Sequence, residues 1–229
     1  MPTDLTTVAD PRLILLAWAA GLAIVAGLVS VSRIVGPGFN WLCGGVAVTV
    51  GLPGALAEGG WWARVALLAG VVGLIWARNR PFAGALFLVA GVGYLVQATL
   101  FAGWLPAVTA TLALGGVTGE MLLGHWYLVD PRLPRSALRN LAFAGILGLL
   151  AEAGMQLSLG TGMGDGGWGF WILLGTSVVL MAAVVASLRY PAYSGVMAAT
   201  GLSYLALLTT LGAVFVGRAI AAGLGPFGL

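Results

Sequence analysis

The chain has no lysine, one cysteine, one histidine and little charge of either sign. Each shortage excludes a chemistry. Without lysine there is no retinal-type Schiff base and no P-loop lysine for a nucleotide phosphate. Cys43 alone forms no intramolecular disulfide and no cysteine-based zinc or iron–sulfur site. His125 alone cannot give a haem two axial histidines. Charged residues are 7% of the 229, against about 25% in soluble domains. So little charge cannot cover a water-facing surface, which excludes a soluble enzyme, a nucleic-acid-binding domain and a disordered chain. The net charge of +3 comes from ten arginines against seven acids. The arginines stand at the ends of apolar runs, so the basic balance is no sign of a nucleic-acid partner.

What is present is apolar: 60% hydrophobic residues, a mean hydropathy of +1.05 and 37 glycines. Small residues let helices approach closely in lipid. A spanning helix needs about 20 mostly apolar residues. Eight segments qualify: 12–34, 41–57, 61–77, 83–103, 105–128, 137–158, 168–188 and 192–217. The expectation is an all-α, polytopic integral membrane protein, a single membrane domain over residues 1–229 with short connections. The start carries Asp4 and Asp10 where a signal peptide would be basic, so the first segment is read as a true span.

Charge sorts the two ends. Arg33, Arg78, Arg80, Arg132, Arg135, Arg139 and Arg189 fall on the odd-numbered connections. Arg12, Arg64 and Arg218 fall on the other side, with Asp4, Asp10 and Asp165. The positive-inside rule makes the odd connections cytoplasmic and places both termini on the periplasmic or extracellular side of a cell (inner) membrane. Trp61, Trp62, Trp104, Trp168 and Trp171 would form the outer aromatic belt.

The chain also repeats. Offset by 94 residues, GLPGALAEGG (51–60) lies on GILGLLAEAG (145–154), Glu58 on Glu152 and Pro37 on Pro131. Offset by 110, Trp61 lies on Trp171, Pro81 on Pro191 and GVGYL (91–95) on GLSYL (201–205). The expected halves are residues 12–104 and 105–217, two four-helix repeats. An even number of helices per half makes them parallel, related by an axis along the membrane normal.

Ionisable groups within spans are costly to bury and mark functional sites by default. Glu58, Glu120, Glu152 and His125 qualify. Glu120 and His125 lie late in the fifth segment, about 140° apart around the helix, with Glu120 about 7–8 Å deeper. Thr111, Thr118, Met121 and His125 share a helical strip. They point to a quinone-headgroup or proton site: His125 as hydrogen-bond donor or proton carrier, Glu120 as relay, Tyr127 or Trp126 against the ring. The bland alternative makes the His-Trp-Tyr run an interfacial belt and ties Glu120 to a neighbouring helix. Glu58 and Glu152, with Gln156 one turn beyond Glu152, form a second polar candidate. These carboxylates either share a proton or cation across the axis, or pair locally with Arg64. Arg132, Arg135 and Arg139 serve as orientation charges and contacts to lipid headgroups or a partner. The glycine-rich stretch 157–169 lacks the lysine and following Ser/Thr of a phosphate cradle. It reads as a flexible or docking loop. No catalytic arrangement and no metal site stand out.

The functional expectation is a membrane subunit of a redox or energy-converting complex. It would anchor other membrane-complex subunits among the membrane lipids and bind quinone or lipid, with no covalent cofactor. A small proton- or cation-coupled transporter or channel is the second reading. A purely structural or assembly subunit is the third.

Overall fold

The computed structural model describes residues 9–58, 60–131, 133–160 and 167–223, and the Glu58 side chain lies outside them. Among the described residues there are eight helices and no strand. They are α1 (Pro11–Val31), α2 (Pro37–Glu58), α3 (Trp61–Ile75), α4 (Arg80–Ala102), α5 (Trp104–Val129), α6 (Arg135–Ser158), α7 (Gly167–Arg189) and α8 (Tyr193–Ala221). All but α3 are long and apolar enough to cross a membrane. The chain is a polytopic helical membrane protein.

The helices lie within a few residues of the apolar runs, and the exceptions have local causes. α2 begins at Pro37 rather than at 41. A proline opens a helix without loss, because its missing N–H would be unbonded there. α3 has 15 residues, about 22 Å, against the roughly 30 Å of a hydrocarbon core. Its last carbonyls are instead taken up by α2 and the following turn. Asn40, fully buried, donates to the Ala77 carbonyl at 3.1 Å, and Trp41 Nε1 donates to that of Leu74 at 3.0 Å. The orphan carbonyls of a helix end are satisfied without further helix.

Packing forms two closed rings. α1 packs on α2 and α4, and α3 closes the ring between them. α5 packs on α6 and α8, and α7 closes the second ring. The rings meet chiefly through α1 and α5. These two are the interior helices: 72% and 89% of their most apolar stretches are buried, against 44% or less in the other spans. Where they cross, a Cβ on Gly21 would lie 2.5 Å from the Gly115 Cα, so only glycine fits. These two glycines are 94 residues apart, the offset that aligns the two halves of the sequence. Gly103 alone joins the rings, at φ 93° and ψ 160°, a conformation essentially reserved for glycine.

Candidate functional site

α5 runs through the middle of the second ring with small residues on several sides. Gly116 touches α6 at Gly145, Gly119 touches Val25 of α1, and Gly124 touches Thr200 of α8. Thr109, Thr111, Thr118 and Glu120 of α5 are buried by this close approach. Glu120 is fully buried. Its Oε2 is hydrogen-bonded to the Ser203 hydroxyl of α8, and its Oε1 has no partner. Ser203 Oγ also lies 2.8 Å from the Ala199 carbonyl. No ion pair to Glu120 is found among the described residues.

The second candidate is differently built. Glu152 of α6 and Arg218 of α8 are both fully buried and form a two-pronged ion pair. Arg218 Nε donates to Oε1 and Nη2 to Oε2, each at 2.9 Å. Nη2 also donates to the Pro106 carbonyl at 2.9 Å and to Thr109 Oγ1 at 3.3 Å. Arg218 therefore ties together the start of α5 and the ends of α6 and α8. Arg218 Nη1 has no partner. Gln156 is buried beside this pair, packed against Gly217.

The structure separates several residues that the sequence pattern groups. Thr111, Thr118 and Met121 are buried, but His125 is exposed. Thr118 accepts from Trp18 Nε1 of α1 at 2.9 Å, whereas His125 Nδ1 lies 3.3 Å from the Tyr204 hydroxyl of α8. The strip thus does not face one neighbour. α5 is enclosed on several sides, and a seven-residue step drifts about 20° per repeat. Tyr127 is buried, and Trp126 stacks edge-on against Phe39. Glu120 and His125 both reach α8, through the adjacent Ser203 and Tyr204, one inside the ring and one on its surface.

Glu152 pairs with Arg218, not with Arg64. Arg218, read from sequence as a charge beyond the last span, lies inside α8, which runs on to Ala221. Arg135 is engaged within the chain. It donates to the Tyr190, Pro191 and Ala192 carbonyls at 2.5, 2.7 and 3.2 Å. Arg139 is exposed, and Arg132 and residues 161–166 lie outside the described residues.

One buried polar feature escapes the pattern of charges. α8 lines its buried face with Thr200, Ser203, Thr210 and Arg218. Thr210 Oγ1 has no partner. From Ser203 to Arg218 the strip runs about 22 Å at the helical rise. The i, i+3, i+10 spacing of small hydroxyls was its only sequence signal, and serine and threonine are common enough in spans to hide it.

The fold and these two buried carboxyl sites define a multi-pass membrane protein with a polar strip in its second ring. Compared with protein-family models, curated proteins and solved structures, the chain matches none.

Proposed function

We propose that the chain is an integral membrane subunit of a redox or energy-converting complex, and that Glu120 is its proton site. The observation that carries this is the Ser203 hydroxyl set between Glu120 Oε2 and the Ala199 carbonyl. A hydroxyl has a single hydrogen. It bonds both oxygens at once only if the carboxyl supplies the second hydrogen, donating to Ser203 Oγ while Ser203 donates to Ala199. Burial argues the same way. A carboxyl without a cation is cheap to hold in the bilayer with its proton and costly without it. Loss of that proton frees Ser203 to turn its hydrogen towards the carboxylate.

Glu152 has the opposite character, because Arg218 neutralises it in place. It acts as a clamp. His125, exposed beside Tyr204 on the same helix pair, is the surface group nearest in sequence to Glu120 and serves as proton entry or quinone contact. The arginine-rich end is cytoplasmic in this reading, with both termini on the far side of the cell membrane. The two rings are the halves of a duplication. The second half alone holds the proton site: the two offsets place Ala26 and Gly93 where it has Glu120 and Ser203.

The test is the native assembly, purified in mild detergent with whatever subunits accompany it. Glu120→Gln keeps a donor to Ser203 Oγ, the amide N–H in place of the carboxyl O–H, and should leave assembly intact while abolishing proton-coupled turnover. Undiminished turnover would refute the proposal. A second reading, a proton- or cation-coupled carrier, draws on the unpartnered Thr210 on the strip between Glu120 and Arg218. It requires flux by the chain alone in liposomes, abolished by Glu120→Gln.

A further inference from the structure

The grooves on the lateral surface differ in chemistry. One between α3 and α4, around Trp62, Val89 and Val92, has no charge. One at the α1–α5 crossing holds the unpartnered Thr111 hydroxyl but again no charge. The third differs. Between α6 and α7 lies a groove of about 230 Å3 walled by Phe143, Ile146, Ala182, Val185 and Ala186, with Arg189 at one end.

Arg189 closes α7 at the arginine-rich end of the bundle. Arg139 stands one turn before Phe143 on α6, in the strip that continues to Ile146. Both arginines are exposed, and no hydrogen bond or ion pair of either guanidinium is found among the described residues. The mouth is also fixed. Arg135, at the start of α6, holds the carbonyls of Tyr190, Pro191 and Ala192, the turn that follows α7. The two helices are thereby pinned at the end where the free arginines stand.

We infer that the α6–α7 groove is a binding site for one anionic phospholipid, an acyl chain lying along Phe143 and Ile146 and the phosphate between Arg139 and Arg189. Charge complementarity selects this occupant. Two unpaired guanidiniums at headgroup depth above an apolar trough fit a phosphodiester with a hydrocarbon tail, and guanidinium binds phosphate with two parallel hydrogen bonds. A zwitterionic lipid offers the same phosphate but sets its own cation beside the two guanidiniums, which weakens the pairing. A partner helix would have to bring its own acid to this end.

The experiment is native mass spectrometry of the full chain, released from nanodiscs holding equal phosphatidylglycerol and phosphatidylcholine with matched chains. The wild type should retain one phosphatidylglycerol in preference. Each basic residue near the surface contributes enough for about a fivefold preference, so Arg139→Gln/Arg189→Gln together should lower retention about thirtyfold. Ala186→Trp fills the trough and should lower retention with both arginines present. Arg78→Gln, at the same end but outside the groove, should leave it unchanged. Full retention by the double arginine variant would overturn the inference. So would an equal loss in Arg78→Gln, which would show a diffuse surface charge rather than a site. The two arginine variants alter only exposed side chains, so they report even if Ala186→Trp does not fold.

Discussion

Two glutamates with the same burial sit in opposite surroundings, and the difference lies in one neighbour each. Glu152 faces a guanidinium, and Glu120 faces a hydroxyl. Removing the carboxylate charge of Glu152 strands the Arg218 cation in a fully buried site. Glu152→Gln should therefore destabilise the protein by about 3–5 kcal/mol, the cost of breaking a buried pair from one side. If Glu120 holds its proton as proposed, Glu120→Gln should change stability by less than about 1 kcal/mol, since a neutral amide then replaces a neutral acid. Thermal unfolding in detergent separates the two. At the end of α1 that opens the chain, Asp10 accepts from the Arg12 N–H at 2.8 Å, and the Arg12 guanidinium holds its carboxyl below the ordinary range of 3.8. A depressed carboxyl stabilises the fold above its ordinary pKa and loses that contribution as pH falls through the folded value. The acid limb of the pH–stability profile should therefore flatten in Asp10→Asn, most clearly below about pH 4. Of these residue roles, the burial of Glu120 was legible from its place in a long apolar run. The partner of Glu152 was not. Arg218 lies 66 positions away, and an arginine near a segment end reads as a boundary until packing shows it inside.

At the scale of elements, helix positions were legible because run length and hydropathy decide them almost alone in lipid. The ends were less so, and α2 and α8 show why. Pro37 starts α2 inside what reads as a loop, and the buried Arg218 lets α8 continue to Ala221. Helix contacts were not legible. The structure sets Gly21 against Gly115, a crossing that neither run announces. Which helix each remaining face of α5 would meet was not written in its own sequence. The crossing makes a prediction with a change of sign. Gly45 of α2 has open space where a Cβ would be, so Gly45→Ala should stabilise by about 0.5–1 kcal/mol through helix propensity. The same change at Gly21 forces α1 and α5 apart and should destabilise by about 1–3 kcal/mol. Equal effects of the two substitutions would mean that the crossing is not tight.

At the scale of the molecule, two rings of four helices share one interior pair, and among the described residues the buried charged side chains, Glu120, Glu152 and Arg218, all lie in the second ring. That asymmetry divides the labour. The first ring holds α1 against α5 and supplies Trp18 to Thr118. The second holds the charge clamp near one end, with Ser203 and Glu120 about 22 Å away along α8. Charged groups buried in lipid are expensive. The confinement of these three to one ring is what the proton-site proposal explains. Its central claim is that Glu120 holds a proton in the resting protein. Infrared spectroscopy of the full chain in nanodiscs tests this most directly. The account predicts a carboxylic-acid carbonyl band that disappears in Glu120→Gln and persists in Glu152→Gln. A resting spectrum with no such band, or one unchanged by Glu120→Gln, would contradict it.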